Sequence, residues 1–376
     1  MYENNLYNHS EKNKDVEKKG YFSDNGRVRC QKFRLMSSES IAEFLEKGDV
    51  ISIGDEFDEL NGEQICRKYV VRQMQGKRDG SSKINKSQKK ESKLVDNQFR
   101  FHEDTSMLYK NLHKINPEDY IHISYKMHGT SGISANILCK KKLNIVEKLL
   151  TKLGINIITE KYDNIYASRK VIKNPDLNPN AQHYYSADIW GIANDIVFPL
   201  LPKGMTAYYE IVGYLPNGGM IQKGYDYGFD MPAANIPYMY GVHFGVFIYR
   251  LTTTNVDGKV FELSGKQVQE WCKVNGLKAV PELYYGKASD FYDRKILGRK
   301  RSVDHLDLWR NTFLEQVKLK YNEKDCYMCN NKVPEEGCVI RIEKLDIEAY
   351  KAKSNAFYEL ETKLLDKGEV DIEEEN

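Results

Sequence analysis

The segment at residues 126–131, Lys-Met-His-Gly-Thr-Ser, constrains the chain most, because a lysine is followed by a glycine-broken turn that carries hydroxyl groups. A lysine attacks phosphorus only when its pKa falls below the usual value of about 10.4, which requires nearby cations or removal from water. Gly129 lets the backbone approach a nucleotide, and Thr130 and Ser131 can donate to its oxygen atoms. The segment therefore indicates covalent nucleotidyl transfer through Lys126, and the alternative is a surface loop that contains a lysine.

Two glutamates lie in segments that have the pattern of strands. Glu336 and Gly337 precede the alternating run at residues 338–342, which predicts a strand whose leading carboxylate faces a site. Glu210 lies in a short apolar strand predicted at residues 207–212. A carboxylate in such a strand is costly unless it binds a cation or a hydrogen-bond donor, so both glutamates are candidate site residues.

Two lysines and one aromatic residue are further candidates. Lys351 and Lys353 have period-two spacing, so in a strand both point to the same face, and a polyanion could lie between them. The alternative is a solvated strand face. Phe247 is a candidate platform for stacking a base, and the alternative is an ordinary core residue.

Five segments resemble, in order, motifs I, III, IIIa, IV and V of the covalent nucleotidyltransferase superfamily, which contains polynucleotide ligases and capping enzymes. These segments are residues 126–131, 208–213, 244–249, 335–341 and 350–354. Histidine at position 128, rather than aspartate, resembles the RNA ligase branch, which includes phage double-strand RNA ligases and kinetoplastid editing ligases. The resemblance covers about residues 98–355.

The resemblance implies an ATP-dependent RNA ligase that works in three steps. Lys126 would attack the α-phosphorus of ATP, expel pyrophosphate and hold AMP as a phosphoramidate. The AMP would then pass to the 5′-phosphate of an RNA, and a 3′-hydroxyl would attack that activated phosphate and release AMP. The RNA ends are expected to flank a nick in a duplex.

The resemblance also implies a role for each candidate. Lys351 and Lys353 would neutralise the α-phosphate and help to keep Lys126 unprotonated. The metal, Mg²⁺ or Mn²⁺, would be held directly or through water by Glu210 and Glu336.

The remaining nucleotide contacts would come from Gly129 at the turn, Arg169 on phosphate and Phe247 on adenine. His128 would orient the nucleotide, contact pyrophosphate or serve strand joining. A further segment between motifs III and IIIa contains Gln222 and Lys223.

The length of 376 residues predicts more than one domain. Residues 1–19 are polar and are expected to be flexible, and residues 20–75 alternate like short strands, with a helix-like segment at 38–46. They resemble the oligonucleotide-binding (OB) barrel that precedes the catalytic domain in nick-sealing RNA ligases, and a basic face would come from Arg27, Arg29, Lys32 and Arg34.

Residues 76–97 are expected to be a basic linker, with a flexible nucleic-acid arm as the alternative. Residues 98–360 would form an α+β adenylyltransferase domain of the nucleotidyltransferase or ATP-grasp-like kind, with antiparallel sheets and helices, and residues 361–376 an acidic tail. The chain ends soon after Lys353, so we expect no C-terminal barrel of the kind that DNA ligases and capping enzymes have.

Composition excludes some classes of protein. The formal net charge is only +2, so binding to nucleic acid requires a localised basic cleft rather than bulk charge. No run of about 18 apolar residues and no signal peptide is evident, and we expect a cytoplasmic protein without membrane contact, with a monomer favoured. Seven cysteines, an odd number, are better explained as reduced thiols than as a disulfide framework.

Cys326 and Cys329 have the spacing of metal ligands, and Cys338 and His305 are candidate further ligands for zinc. A second correctly spaced pair is missing, so buried or incidental thiols are the alternative.

Two other functions stay open. A capping-type guanylyltransferase would use the same lysine with GTP, and a non-catalytic RNA-binding protein could share the fold.

Overall fold

The computed structural model describes residues 93–175, 177, 185, 187–291, 305–344 and 346–366, together with four short strands nearer the N-terminus. The chain divides into two units, residues 1–88 and residues 89–376. In the first unit, β1 (Phe22–Asp24) pairs with β2 (Val28–Cys30), and β3 (Glu59–Leu60) pairs with β4 (Glu63–Gln64).

Most of the N-terminal predictions lie outside the described residues. These are the flexible segment at 1–19, most of the barrel at 20–75 with its helix-like segment, and the linker up to residue 92. The last predicted linker residues belong to the second unit, where Lys93 forms an ion pair with Asp163 at 2.7 Å and Leu94 bridges to Cys139.

The second unit contains strands that the sequence alternation predicts and helices that cover them. The strands are β5 (Ser106–Met107), β6 (Tyr120–Lys126), β7 (Thr130–Lys140), β8 (Glu160–Ser168), β9 (Met205–Gly213), β10 (Phe244–Thr254), β11 (Val260–Glu262), β12 (Lys278–Ala279), β13 (Glu282–Lys287), β14 (Gly337–Ile342) and β15 (Glu348–Lys353). The helices are α1 (Ile145–Lys152), α2 (Ile189–Val197), α3 (Gly265–Val274), α4 (Leu306–Val317) and α5 (Asn355–Asp366).

Within the described residues these strands form two sheets. The larger sheet has the order β11-β10-β9-β7-β8, with β12 added parallel to β10. The smaller sheet has the order β13-β6-β14-β15-β5, in which β5 runs parallel to β15. All other pairings in the two sheets are antiparallel. The predicted α+β class with antiparallel sheets is therefore confirmed, and the short parallel strands at two positions are an addition to it.

The smaller sheet has one apolar face, which packs on α4. Ile121, Ile123 and Ile340 are fully buried and share a core cluster with Trp309 and Phe313 of the helix. Because side chains alternate along a strand, the neighbouring positions point to the opposite face of the sheet. On β6, β14 and β15 those positions include Lys126, Gly337, Lys351 and Lys353.

The larger sheet is covered on one face by α2 and α3. Tyr209 and Ile211 of β9 belong to the core cluster that includes residues of both helices, so Glu210 between them points to the other face. β9 is longer than the predicted strand at residues 207–212, and every residue in it is buried.

A helix crosses the predicted C-terminal boundary of the catalytic domain. The predicted end at residue 360 falls inside α5, which continues to Asp366. Residues 361–366 of the predicted tail therefore lie in this helix, the remainder of the predicted tail lies outside the described residues, and the boundary itself stays a prediction. No helix in the part of the chain that the structure describes is both long and apolar enough to cross a membrane.

Gly337 is a position in the smaller sheet that tolerates no side chain. Its φ is +140°, and a Cβ atom there would lie 2.0 Å from the carbonyl oxygen of Ala352. We expect Gly337→Ala to lower the free energy of unfolding by roughly 2–5 kcal/mol, because backbone strain and overpacking add.

Gly224→Ala is the matched control for this prediction. Gly224 also has a positive φ, +87°, but a Cβ atom there would meet nothing within 4 Å. Its substitution should cost only about 1–2 kcal/mol, from the backbone conformation alone. Chemical denaturation measures both variants, and equal losses would show that the close contact at Gly337 is not what limits the position.

Candidate active site

Strand pairing places the candidate residues in two rows. In the smaller sheet, Lys126 and Lys353 both pair with Gly337, so the two lysines lie on either side of a residue without a side chain. In the larger sheet, Glu210 pairs with both Ser131 and Phe247. Residues 127–129 connect the two sheets directly, because β6 ends at Lys126 and β7 begins at Thr130. The lysine segment therefore joins the two rows, and the surface-loop interpretation of it is wrong.

Glu336 directly precedes β14 and lies between the two lysines of the smaller sheet. Its side chain is 1% exposed, and Oε1 lies 2.6 Å from Lys126 Nζ and 3.6 Å from Lys353 Nζ. Burial alone would raise the pKa of Glu336, but Lys126, His128 and Lys353 outweigh burial and hold that pKa far below its usual range. Glu336 is therefore a buried carboxylate anion that two ammonium groups share.

Lys351 lies within the electrostatic reach of three other cations. Burial is the largest cause that lowers the pKa of Lys351, followed by the charges of Lys353 and Lys126, with a smaller effect of Arg169. Asp104 acts in the opposite direction. The side chain of Lys353 is only 13% exposed. The solvated-face interpretation of the two lysines is therefore wrong, and their face is a concentrated positive site.

Lys353 has a second carboxylate partner on the C-terminal helix α5. Its Nζ donates to Glu361 Oε1 at 2.8 Å. Burial lowers the pKa of Lys353, but the Glu336 and Glu361 carboxylates outweigh burial and Lys126, so the pKa is raised. Lys353 is therefore a permanent cation at neutral pH.

Arg169 follows directly after β8 and forms an ion pair with Asp104. Its Nε donates to Asp104 Oδ1 at 3.1 Å, and its Nη2 contacts the same oxygen. Asp104 is 58% exposed, whereas the Arg169 side chain is 16% exposed. The guanidinium is thus fixed near the lysines by a carboxylate at the surface.

Glu210 holds the turn between the two sheets. Its Oε1 accepts a hydrogen bond from the Gly129 N–H at 3.0 Å, and its Oε2 accepts one from Ser131 Oγ at 3.2 Å. A Cβ atom on Gly129 would lie 2.3 Å from the carbonyl oxygen of Ile211. Gly129 and Ser131 therefore contact β9 in this structure, where the sequence predicted contacts with a nucleotide.

His128 is buried behind the lysines, with 5% of its surface exposed. The backbone N–H of His128 donates to the Tyr227 hydroxyl at 2.8 Å. In the side chain, the ring atom Nε2 lies 2.6 Å from Gln222 Nε2. With the Gln222 amide as donor, Nδ1 carries the imidazole hydrogen and faces Glu336 Oε2 at 3.6 Å. Of the two residues noted between motifs III and IIIa, Gln222 contacts His128, and Lys223 is exposed.

Phe247 is part of a buried cluster with Tyr125, Met127 and Val212, and it is 7% exposed. The ammonium of Lys278 lies 5.6 Å from its ring centroid. The ring thus packs in the protein core in this structure, and its contact with a base stays a prediction.

Four contact residues had no signal in the sequence analysis. They lie outside the motifs and outside any periodic apolar pattern, and each contacts a candidate site residue that is distant or unrelated in the sequence pattern. These residues are Asp104, Tyr227, Phe357 and Glu361. For Phe357 the contact is with the His128 ring, whose centroid lies 4.8 Å away.

The predicted zinc ligands do not converge. The Cys338 sulfur contacts Asn322 Oδ1 at 3.6 Å, whereas Cys326 and Cys329 contact each other. Across the described ranges, no group of three or more His, Cys, Asp or Glu side chains is arranged to hold a metal ion.

The chain matches no protein-family model and no curated protein sequence. Among solved structures, it is similar to RNA ligase of Naegleria gruberi with pyrophosphate, at 14% identity and a TM-score of 0.42, over 75% of this chain and 64% of that one. A variant of the same ligase with ATP and manganese aligns at 14% identity and a TM-score of 0.42, over 89% of this chain and 73% of that one. Another variant with ATP and manganese aligns at 13% identity and a TM-score of 0.41, over 69% of this chain and 58% of that one.

In two of these three alignments the chain spans less than two thirds of the Naegleria ligase. Fold similarity does not by itself assign an activity, so the chemistry must be argued from the site.

Proposed function

We propose that this chain is an ATP-dependent RNA ligase that joins 3′-hydroxyl and 5′-phosphate ends through a lysyl-AMP intermediate. One observation carries the proposal. Lys126 and Lys353 share the buried carboxylate Glu336, and Lys351 lies on the same strand face as Lys353 with Lys126 and Arg169 within electrostatic reach. Several ammonium groups with too few carboxylates to neutralise them suit a polyanion such as a triphosphate.

In the first step, Lys126 Nζ forms a bond to the α-phosphorus of ATP. The bond from that phosphorus to the bridging oxygen breaks, pyrophosphate leaves, and the lysine proton passes to solvent. Lys351 and Lys353 lie within electrostatic reach of Lys126, where they can stabilise the charge that develops on the phosphate oxygens. The shared Glu336 carboxylate holds Lys126 and Lys353 together, so the nucleophile is oriented before ATP binds.

A divalent cation fits one of the two predicted carboxylates better than the other. Glu336 Oε2 is buried, and His128 Nδ1 faces it at 3.6 Å, which is too long for a hydrogen bond, so it remains available to a cation or to its water. Both Glu210 oxygens already accept hydrogen bonds from the turn. Glu336 would therefore hold Mg²⁺ or Mn²⁺, which would supply further neutralisation of phosphate charge.

In the later steps the AMP passes to an RNA 5′-phosphate, and an RNA 3′-hydroxyl displaces it. Arg169 is suited to a phosphate in either step because its guanidinium can donate two parallel hydrogen bonds. The phosphate would replace the Asp104 carboxylate as the partner of this guanidinium. We propose a nick in an RNA duplex as the substrate.

Nucleotide specificity and sealing are tested separately. Incubation with ATP or GTP labelled at the α-phosphate should attach AMP and not GMP to the protein. A nicked duplex in which each strand in turn is RNA or DNA should then be sealed when its ends are RNA. Exclusive attachment of GMP would favour a capping-type enzyme, and attachment of neither nucleotide would favour a non-catalytic protein.

Residues 1–75, proposed as a barrel that binds the nick, give a further prediction. Their deletion should leave the reaction of Lys126 with ATP intact, because every proposed nucleotide contact lies beyond residue 98. Sealing should fall, and the dependence of RNA affinity on salt should become less steep, because fewer phosphates are neutralised. Filter binding at a series of salt concentrations measures the slope, and an unchanged slope with unchanged sealing would remove the N-terminal unit from RNA binding.

A further inference from the structure

Cys326 and Cys329 are held side by side between the end of α4 and Glu336. Their sulfur atoms lie 3.0 Å apart, and both are free thiols. The backbone fixes this arrangement, because the Cys329 N–H donates to the Cys326 carbonyl at 3.4 Å and the Cys326 N–H donates to the Val333 carbonyl at 2.8 Å. The two sulfurs therefore meet without any large movement of the chain.

The surroundings distinguish the two thiols. Cys326 is 4% exposed, whereas Cys329 is half-buried and can be reached from solvent. The contact with the Cys329 sulfur is the largest cause that lowers the pKa of Cys326. The Tyr125 hydroxyl, which donates to the Cys326 sulfur at 3.0 Å, also lowers this pKa, and the two together outweigh burial. The same contact raises the pKa of Cys329. One thiolate supported by a neighbouring thiol is the reduced form that favours disulfide exchange.

Two cysteines alone fall short of the ligand set of a zinc site. Zinc sites need four ligands in structural sites and three protein ligands in catalytic sites. In the part of the chain that the structure describes, no third His, Cys, Asp or Glu side chain joins these two cysteines in a metal-binding group.

We propose that Cys326 and Cys329 form a redox-active dithiol that a small-molecule disulfide oxidises to an intramolecular disulfide. The Cys326 thiolate takes up the Cys329 proton, and the exposed Cys329 sulfur then attacks the external disulfide, forms a mixed disulfide and releases one small thiol. The Cys326 sulfur then attacks the Cys329 sulfur and releases the second small thiol. In total the external S–S bond breaks, one S–S bond forms in the protein, and the two protein thiol protons pass to the two released thiols.

The dithiol adjoins the candidate active site without belonging to it. Tyr125, which donates to Cys326, directly precedes Lys126 in β6. The segment from Asp325 to Pro334 closes on itself through a bridge between these two residues and leads to Glu336. The thiol chemistry itself requires no ligase activity, so the two proposals can fail independently.

Thiol trapping on the full-length protein tests the proposal. The reduced protein is equilibrated with glutathione and glutathione disulfide at a series of ratios and quenched with acid. It is then alkylated with N-ethylmaleimide in denaturant and mapped by peptide mass. Cys326 and Cys329 should lose the label together in a single transition, carry no glutathione, and regain the label after reduction. Cys139 and Cys272, which are buried free cysteines elsewhere in the second unit, serve as internal controls and should stay labelled.

A variant separates the two exchange steps. In Cys326→Ser, Cys329 should accumulate a stable mixed disulfide with glutathione, because the resolving sulfur is absent. Three results would overturn the proposal: both thiols staying labelled in the most oxidising buffer, the wild-type protein keeping glutathione on Cys329, or equimolar zinc protecting both thiols until a chelator is added. The wild-type readout decides the matter even if the variant fails to fold.

Discussion

Lys126→Arg is expected to abolish the AMP adduct and to leave the protein folded. Arginine keeps a positive charge for Glu336, whose Oε1 lies 2.6 Å from Lys126 Nζ. A guanidinium is not deprotonated in proteins, so it cannot attack the α-phosphorus. Intact-protein mass after incubation with ATP and a divalent cation measures the adduct, and circular dichroism checks the fold.

The arginine variant is a sharper test than Lys126→Ala. Alanine also removes the nearest counter-ion of a buried carboxylate, which can cost up to about 3–5 kcal/mol when no other partner remains. Lys353 stays 3.6 Å from Glu336, so the loss should be smaller than that. Lys273→Ala, on the exposed end of α3, is the matched control and should form the adduct at the wild-type rate. An AMP increment on Lys126→Arg would exclude Lys126 as the nucleophile.

Glu336→Gln is expected to slow adenylation by on the order of 10² or more, by analogy with the loss of one preorganised electrostatic group. The amide has nearly the same shape but no charge, so it no longer holds Lys126 and Lys353 together. Loss of an anion next to Nζ also disfavours the ammonium form of Lys126, which should move the pH dependence of the rate to lower pH. Single-turnover adenylation rates over a range of pH separate this effect from lost positioning.

Lys353→Met should slow adenylation to a similar extent, because it removes the cation that shares Glu336 with the nucleophile. The matched control is Glu361→Gln, which removes the outer partner of Lys353 and leaves Glu336 in place. Its rate should fall far less than that of the other two variants. Rates near wild type for both Glu336→Gln and Lys353→Met would show that the shared carboxylate does not organise the site.

Local pattern in the sequence predicted the faces of individual strands well. The period-two spacing of Lys351 and Lys353 predicted a common face, and the structure places both on β15 with Tyr350 and Ala352 buried on the other face. The alternation after Gly337 likewise predicted β14, whose Cys338, Ile340 and Ile342 are fully buried. These predictions succeed because side-chain direction depends only on neighbouring residues.

Strand pairing could not be predicted in the same way. Lys126 and Gly337 are neighbours across two strands that lie far apart in the chain, and register between such strands depends on the packing of the whole sheet. For the same reason the hydrogen bonds of Glu210 with Gly129 and Ser131 could not be predicted, and its role in holding a metal stays a prediction. Asp104 and Glu361 were missed because a single carboxylate outside a periodic segment has no pattern until its partner is known.

The most direct test of the account is to locate the nucleotide on the wild-type protein. After incubation with ATP and a divalent cation, proteolysis and tandem mass spectrometry under conditions that preserve phosphoramidates should find one AMP, on the Nζ atom of Lys126. The increment should disappear when excess pyrophosphate is added, because the first step runs backwards and regenerates ATP. AMP on any other residue, or no AMP on a protein that is folded and supplied with metal, would contradict the assignment of this site.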